Sequence, residues 1–383
     1  MRILVLGAGF GGLELTTRLS DEFGDDVDIT LIDKSDAFVF GFSKLDVMFG
    51  RTTADHVSHR YADIAKPGVT FVQTQIRAID PVARRAETDA GTFEGDILVV
   101  GLGADYDLDY TPGLAEGGRE FYTVAGAFAA ADVIADFQGG RVVVGVISTP
   151  FKCPPAPSET ALLMRDLLVD RGMWEDSSVS LVMPFGRPIP PSPDASEALL
   201  VAFEERGIEW CPQYAVTSLD PDRKIAHTGD GSEKPYDLFL GVPHHVAPEV
   251  VVSSGMTTDG WIAVDSLTLE TAWPDVYAIG DVAAVGTPRA GVFAEGHAAV
   301  AADRIAAKIR SASSDATYGG RGVCYLEFGH DTIAQVEVTF FGDERTGRLI
   351  GPSPDLVKDK IEFGTSRIAR WFGREWSMAA PSP

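Results

Sequence analysis

The chain has 383 residues, of which 45% are hydrophobic and 40 are glycines, so it can hold two or three domains around a large buried core. Its formal net charge of −24 argues against nucleic acid as a partner, because two polyanions repel each other. Three cysteines are too few for a disulfide-stapled secreted fold, and no apolar run approaches the length of a membrane span.

The N-terminus predicts a dinucleotide-binding unit. A buried strand at Arg2–Leu6 leads into a glycine-rich turn and a helix through about Leu19, and a second strand at Val27–Ile32 ends in an acid. Glycines spaced G-x-G-x-x-G let a pyrophosphate approach the helix N-terminus, and an acid about 20 residues further on can bind a ribose. The residues assigned to the nucleotide here are Gly7, Gly9, Phe10, Gly11, Gly12, Asp33 and Lys34. Because the chain opens directly on this core strand, without a cleavable leader, we expect a cytoplasmic protein.

The next segment is harder to interpret. Residues 36–66 mix aromatic residues with glycine and have no clear period, so they either line a cofactor or substrate channel or pack a small core of their own. Strands are predicted at Val69–Gln75, Arg84–Thr88 and Asp96–Val100. The last strand runs into a second glycine turn that can approach the nucleotide, formed by Gly101, Gly103 and Ala104.

A second βαβ unit follows, with an unusual loop between its first strand and helix. The strand Arg141–Ile147 and a helix from Ser158 are joined by a segment with four prolines and no glycine, which cannot wrap closely around a phosphate. The loop carries Cys153 beside Lys152, just before the helix N-terminus, and both features can lower a thiol pKa. Glu159 is a candidate proton carrier, although a first-turn glutamate also suits the helix dipole alone.

The rest of this unit indicates a domain inserted into the first one. Further elements are predicted at Val124–Phe137, Ser178–Met183, Asp194–Arg206 and Ile208–Cys211. We therefore predict a second domain over residues 111–234, with the first domain formed by residues 1–110 and 235–310 and re-entered at the strand Tyr236–Gly241. Cys211 is expected to be a buried structural thiol.

Two features mark the last third of the chain. A strand at Val276–Ile279 delivers Gly280 and Asp281 to a turn, where the carboxylate either binds a polyol hydroxyl or caps the helix Ala294–Lys308. From residue 311 onward we predict a small C-terminal domain with strands Val323–Phe328 and Thr332–Phe341. Its amphipathic, cationic tail, residues 355–376, is either an interfacial membrane anchor or a helix packed on the domain or on a second subunit.

Together, the N-terminal glycine fingerprint, the turn at 101–104 and the motif Tyr-Ala-Ile-Gly-Asp ending at Asp281 resemble the glutathione-reductase-like flavoprotein superfamily. The resemblance implies an α/β fold with two Rossmann-like domains, the second inserted in the first, plus a small C-terminal α+β domain. It also implies FAD, held by the first motif and by the last aspartate. The absence of a cysteine before Cys153 excludes the classical disulfide reductases and implies that FAD is not covalently attached.

Within this superfamily, the segment from Lys152 to Glu159 resembles the sulfide:quinone oxidoreductase and flavocytochrome c sulfide dehydrogenase branch, and the position of Cys324 fits the same branch. The resemblance implies a redox pair of Cys153 and Cys324 that oxidises sulfide or a related sulfur species. It implies transfer of two electrons via FAD to a quinone, or to a cytochrome, with Phe293 among the residues near the flavin and the acceptor. Peripheral contact with the inner face of the cell membrane and a homodimer are compatible with it, and no metal site is expected.

Two other interpretations remain open. A type 2 NADH:quinone dehydrogenase shares the overall plan but needs a nucleotide site after the strand Arg141–Ile147, where the proline loop lacks glycines. A flavin-binding protein that senses redox state without turnover would leave both cysteines as ordinary core thiols. Those interpretations differ in one geometric respect, because only the sulfide mechanism requires Cys153 and Cys324 to lie close together.

Overall fold

The structure, a computed structural model, describes residues 1–342 and 346–378. Its first sheet is parallel and has five strands, four of which are continuous apolar runs, as expected where helices and other layers cover both faces. The helices Phe10–Phe23 and Gly291–Ile309 pack against each other beside this sheet. The strands, in spatial order, are Val276–Ala278, Ile97–Val100, Arg2–Leu6, Asp28–Asp33 and Val69–Gln73.

The second sheet is also parallel and has five strands. In spatial order they are Arg119–Glu120, Leu238–Val242, Arg141–Val146, Ser178–Met183 and Glu209–Pro212. The helices of this region are Val124–Asp136, Ala156–Asp170 and Pro193–Arg206. Two stacked parallel sheets with crossover helices confirm the predicted α/β class.

One boundary of the predicted domains is wrong. The strand Leu238–Val242, which we assigned to the re-entry into the first domain, pairs with Arg141–Val146 in the second sheet, with Phe239 opposite Val143. The second domain therefore extends beyond residue 234. The physical reason is that a buried apolar strand fits the centre of either parallel sheet, so its own residues do not indicate which partner it takes.

The remaining strands form short antiparallel ribbons, with one parallel pairing, around these two sheets. They account for most of the irregular stretches of the sequence, including part of residues 36–66, where the helix Gly41–Met48 also lies. Three further short helices are Ala54–Val57, Leu114–Gly117 and Glu249–Ser253. The ribbons pair Ala37–Phe38 with His59–Arg60, Asp105–Asp107 with His244–Val246, Ile76–Asp80 with Arg85–Thr88 and Gly91–Glu94, Val216–Asp220 with Ile225–Thr228 and Glu233–Pro235, and Thr257–Thr258 with Trp261–Ala263 and Ala283–Ala284.

The C-terminal region contains a three-stranded antiparallel sheet and one helix. Its strands are Arg321–Glu327, Ile333–Thr339 and Thr346–Ser353, and the helix is Val357–Phe372. The third strand was not predicted, because the sequence TGRLIGPS carries two glycines and little alternation. Cys324 lies in the first strand, opposite Val336 of the central strand.

The C-terminal helix packs on the body of the protein. Ile368, Trp371 and Phe372 are buried, and the indole Nε1 of Trp371 donates a hydrogen bond to Glu14 at 3.0 Å. Arg370 forms an ion pair with the same carboxylate. Of the two interpretations of the tail, these three side chains follow the one in which it packs on the domain. Within the described residues, no helix combines the length and apolar character that crossing a bilayer requires.

Candidate functional site

The N-terminal turn has the close backbone contacts of a dinucleotide site. Gly7 has φ of +100°, and a Cβ there would lie 2.3 Å from the carbonyl oxygen of Gly101. A Cβ on Gly12 would lie 1.9 Å from the carbonyl oxygen of Gly7. In contrast, a Cβ on Gly9 or Gly103 would meet no atom within 4 Å. Gly7 and Gly12 thus close the strand–turn–helix, whereas Gly9 and Gly103 leave open space in which the pyrophosphate of FAD fits.

The acid at the end of the second strand lies beside this turn. Asp33 accepts hydrogen bonds from the backbone N–H groups of Ala8 and Ser35, each at 2.8 Å. It also lines a cavity of about 150 Å³, together with Lys34 and Leu102. These residues fit the adenosine end of FAD, since a carboxylate held at this position can accept bonds from a ribose.

Phe10 and Ala104, which we also assigned to the nucleotide, have other side-chain or backbone roles in the structure. The ring of Phe10 packs edge-to-face on Phe38 and Phe40, with centroids 5.2 Å apart in both cases, so only its backbone N–H, at the start of the helix, faces the turn. The carbonyl oxygen of Ala104 accepts a hydrogen bond from Lys152 Nζ at 3.2 Å. Gly11 packs its backbone against Ile279.

Gly280 and Asp281 form a turn that is held by a histidine absent from the sequence-based predictions. Gly280 has φ of +72°, and its N–H donates to Nδ1 of His297 at 3.1 Å. Burial raises the pKa of Asp281, while the charges of Lys152 and Arg289 oppose that shift. A lone histidine on an alanine-rich helix gives no sequence signal of this role, because it looks like an ordinary core residue.

The proline loop is bonded to the segment that follows Asp281. The N–H of Cys153 donates to the carbonyl oxygen of Arg289 at 2.8 Å, and the N–H of Lys152 donates to His245 Nε2 at 3.1 Å. Cys153 itself has φ of +49°. The helix Ala156–Asp170 begins immediately afterward, with the N–H of Ala156 donating to the carbonyl of Cys153 at 2.9 Å. The loop therefore turns its cysteine toward the first domain's Gly280–Asp281 turn.

Cys153 and Cys324 line the same apolar cavity, of about 40 Å³. Phe293, Leu326 and Val336 are among the apolar side chains that surround the two thiols. Both cysteines are free, and Cys153 is open to the cavity. Cys211 lies elsewhere, buried in a core cluster on the second sheet. The structure thus brings together the two cysteines of the predicted redox pair and separates the third.

The electrostatics of these thiols differ from the prediction that Lys152 lowers the pKa of Cys153. Burial raises the pKa of Cys153 well above its usual range, and that of Cys324 to about 12, and the charge of Glu159 raises both further. The ammonium of Lys152 is engaged by Ala104 and by the ring of Tyr106, whose centroid is 4.6 Å away. Adjacency in sequence therefore did not place this lysine's charge at the thiol.

Glu159 lies in a buried cluster of charges. Its Oε1 accepts a hydrogen bond from the N–H of Glu327 at 2.9 Å, and burial raises its pKa to about 7 despite the opposing charge of Lys360. Lys360 forms an ion pair with Glu327 at 2.8 Å, and Arg51 bonds to Glu327 and also lies 3.6 Å from Asp46. The sequence did not single out these four partners, because they come from three separate segments.

Phe293 lies in the cavity wall, next to the predicted turn. Its ring is 3% exposed and packs edge-to-face on Phe340, with centroids 5.6 Å apart. Within residues 1–342 and 346–378, no group of three or more His, Cys, Asp or Glu side chains is placed to hold a metal ion.

Comparison with known proteins gives consistent relatives over most of the chain. Residues 1–302 match the family model "Pyridine nucleotide-disulphide oxidoreductase". The chain is 26% identical over 355 residues to the sulfide-quinone reductase of Aquifex aeolicus, covering 86% of this chain and 81% of the relative. It is 21% identical over 352 residues to the mitochondrial sulfide:quinone oxidoreductase of Mus musculus, covering 88% and 78% of the two chains.

Two further comparisons concern the fold and the alternative family. The crystal structure of the Aquifex aeolicus sulfide:quinone oxidoreductase superposes with a TM-score of 0.84 at 21% identity, covering 97% of this chain and 92% of the other. The type II NADH:quinone oxidoreductase of Staphylococcus saprophyticus is 36% identical, but over 104 residues, which is 27% of this chain and 26% of that protein. With these matches, the chain belongs to the pyridine nucleotide-disulphide oxidoreductase family and is a FAD-dependent oxidoreductase that resembles the sulfide:quinone oxidoreductases.

Proposed function

We propose that this enzyme oxidises sulfide, or a related small sulfur species, through Cys153 and Cys324, and that its two electrons pass via FAD to a quinone. The single observation that carries the proposal is that both thiols line one apolar cavity. The loop that carries Cys153 is bonded to Arg289, whose Nε donates to the carbonyl of Asp281 at 3.0 Å. The relatives that match most of the chain carry sulfide and quinone in their names, which supports the same activity.

The sulfur chemistry begins from a disulfide between the two cysteines. Hydrosulfide attacks one sulfur, the S–S bond breaks, and one cysteine becomes a persulfide while the other leaves as a thiolate. Transfer of the outer sulfur to a second sulfide or thiol leaves both cysteines as thiols. Their return to the disulfide releases two electrons and two protons. FAD, when bound, accepts electron pairs of this kind and passes them to a quinone.

The surrounding residues have separate tasks in this proposal. Glu159 takes up and releases protons, because its pKa of about 7 lets it change charge near neutral pH. Lys152, with its charge near Asp281 and Tyr106, belongs with the FAD-binding groups and not with the thiol. Phe293 and the other apolar wall residues exclude water and suit a quinone ring.

Anaerobic reduction of the FAD-loaded enzyme tests the proposal. We expect sulfide to bleach the flavin absorbance rapidly through a long-wavelength intermediate band, and Cys153→Ala to abolish that reaction. Cys211→Ala is the matched control, since that thiol is buried away from the cavity, and it should react like the parent enzyme. Persistence of rapid bleaching in Cys153→Ala would refute the cysteine mechanism.

The same experiment with NADH separates the alternatives. The loop at 148–157 has no glycine, and its Cys153 N–H is already bonded to Arg289, so a nucleotide phosphate lacks the close backbone approach that it needs. We therefore expect slow reduction by NADH. Rapid reduction by NADH would support the dehydrogenase alternative, and failure of both donors would support a flavoprotein without this turnover.

A further inference from the structure

Lys44 is a buried lysine close to the cysteine cavity that the sequence did not single out. It lies on the helix Gly41–Met48, and its ammonium donates a hydrogen bond to the carbonyl oxygen of Tyr122, with the centre of the Tyr122 ring 5.8 Å away. Burial and the charge of Lys152 lower the pKa of Lys44 to about 8, and the charges of Cys153 and Glu120 oppose the shift. At neutral pH the side chain is therefore still an ammonium.

Tyr122 adds a second polar group at the same place. Its side chain is 5% exposed, and its hydroxyl has no hydrogen-bond partner within the part of the chain that the structure describes. Burial raises the pKa of this phenol well above its usual range, and the negative charges of Cys153, Tyr106 and Glu159 add to the shift. A buried hydroxyl near Cys153 is thus free to donate a hydrogen bond to an anion, and an unsatisfied donor of this kind is costly unless something uses it.

The charges that act on Cys153 come from three directions. Glu159, on the helix after the proline loop, and Cys324, on the C-terminal sheet, are acidic groups that disfavour a thiolate. Lys44, on the helix Gly41–Met48, is the cation that favours it. Lys152 precedes Cys153 in the chain, but its ammonium donates to the carbonyl of Ala104 at 3.2 Å and lies over the ring of Tyr106.

We infer that Lys44, assisted by the hydroxyl of Tyr122, stabilises the negatively charged sulfur at Cys153, and that Lys152 does not. This inference rests on the proposed function, in which an anion must enter an apolar cavity and a thiolate must leave. A single ammonium is effective there, because charges interact far more strongly in a low-dielectric interior than in water. Lys44 is thus a positioning residue for the sulfur chemistry, contributed by the first domain.

The test is the rate at which iodoacetamide alkylates Cys153 in the reduced, FAD-loaded enzyme, followed by peptide mass spectrometry from pH 6 to pH 10. We expect Lys44→Met to slow alkylation about tenfold below pH 8, the effect of a one-unit rise in the thiol pKa. The difference from the parent enzyme should fade above pH 8, where Lys44 loses its proton. Lys44→Arg should retain most of the rate, because it keeps the charge.

Lys152→Met is the matched control, and its alkylation rate should stay within about twofold of the parent enzyme at each pH. Tyr122→Phe, which keeps the ring and removes the hydroxyl, should slow alkylation by up to about tenfold, the value of one hydrogen bond to a charged group. It provides a second route if Lys44→Met does not fold. A Lys44→Met or Tyr122→Phe profile identical to that of the parent, or a loss of rate in Lys152→Met instead, would overturn the inference.

This measurement does not use sulfide, so the two proposals fail separately. If sulfide does not reduce the flavin while Lys44→Met still slows alkylation below pH 8, the proposed substrate is wrong and the role of Lys44 stands. If sulfide reduces the flavin and Lys44→Met alkylates like the parent, the role of Lys44 is wrong and the substrate stands.

Discussion

The carboxylate of Glu159 accepts a hydrogen bond from the backbone N–H of Glu327 at 2.9 Å, and thereby joins the helix after the proline loop to the strand that carries Cys324. Both glutamates are buried, but they hold different charges. The pKa of Glu327 is lowered by Lys360 and Arg51 against the effect of burial, whereas burial dominates at Glu159 and raises its pKa. The group that can exchange a proton near neutral pH is therefore Glu159.

Glu159 should make the stability of the protein depend on pH. Its carboxyl binds a proton more tightly in the folded protein, with a pKa of about 7, than in the unfolded chain, with a pKa of 4.5, so its contribution is favourable at low pH and is lost as pH rises through 7. Glu159→Gln keeps the acceptor oxygen and removes the titration. Relative to the parent, the variant should gain about 2 kcal/mol of unfolding free energy between pH 5 and pH 8, measured by urea denaturation.

The control for that experiment is Glu204→Gln, on an exposed glutamate of the helix Pro193–Arg206. Its unfolding free energy should differ from that of the parent by the same amount at both pH values. If Glu159→Gln behaves in this way too, the carboxyl does not titrate in the folded protein near neutral pH.

The two cavity cysteines should oxidise together. In the reduced, denatured protein, thiol titration should detect all three cysteines of the sequence. After mild oxidation of the folded protein, only Cys211 should remain, because Cys153 and Cys324 face one cavity and Cys211 is buried elsewhere. Digestion without reductant should yield a peptide pair that links residues 153 and 324. Retention of three thiols after oxidation would show that the two sulfurs do not reach each other.

His297 should control how tightly FAD is held. Its Nδ1 accepts the N–H of Gly280, and burial lowers its pKa to about 3, so it stays a neutral acceptor at neutral pH. His297→Leu leaves that N–H without an acceptor, and the turn before Asp281 loses its fixed geometry. We expect the dissociation constant for FAD to rise about tenfold, measured by adding FAD to apoprotein.

His297→Asn is the matched variant, because its side-chain oxygen can accept the same N–H, and it should restore most of the affinity. Thermal unfolding of both apoproteins serves as the control for a general loss of structure. Equal FAD affinity in His297→Leu and the parent would mean that the Gly280 turn keeps its geometry without the histidine.

Trp371 should contribute to folding and not to membrane attachment. Its side chain is 1% exposed and packs edge-to-face on Phe10 and Phe38, with centroids 5.7 Å and 5.5 Å away. We expect Trp371→Ala to destabilise the protein by about 3 to 5 kcal/mol in urea denaturation. Trp371→Phe should cost less, because it keeps an aromatic ring and loses mainly the bond to Glu14.

Vesicle sedimentation distinguishes this role from an anchor. We expect both Trp371 variants that remain folded to sediment with anionic vesicles to the same extent as the parent. A Trp371→Ala protein that unfolds like the parent but loses vesicle binding would show that the tryptophan lies outside the fold.

Local sequence patterns were sufficient for the parts of the protein that depend on neighbours in the chain. Gly7, Gly9 and Gly12 lie in one turn, and the apolar run Arg2–Leu6 leads directly into it, so spacing alone predicted the strand, the turn and the helix. The same holds for the strand Ser178–Met183, whose predicted bounds match the structure. In both cases the physical constraint acts over a few residues, through backbone sterics and burial on both faces.

What only the tertiary structure decided is which distant groups meet. Leu238–Val242 pairs with the second sheet, Lys152 points its charge at Ala104 and Tyr106, and Lys44 and Glu159 supply the charges at Cys153. A pairing partner or a Coulomb interaction depends on distance in space, and separation along the chain carries no information about it. The sequence by itself therefore determined the nucleotide-binding turn and the α/β class, and the packing of three separate segments determined the chemistry of the cysteine cavity.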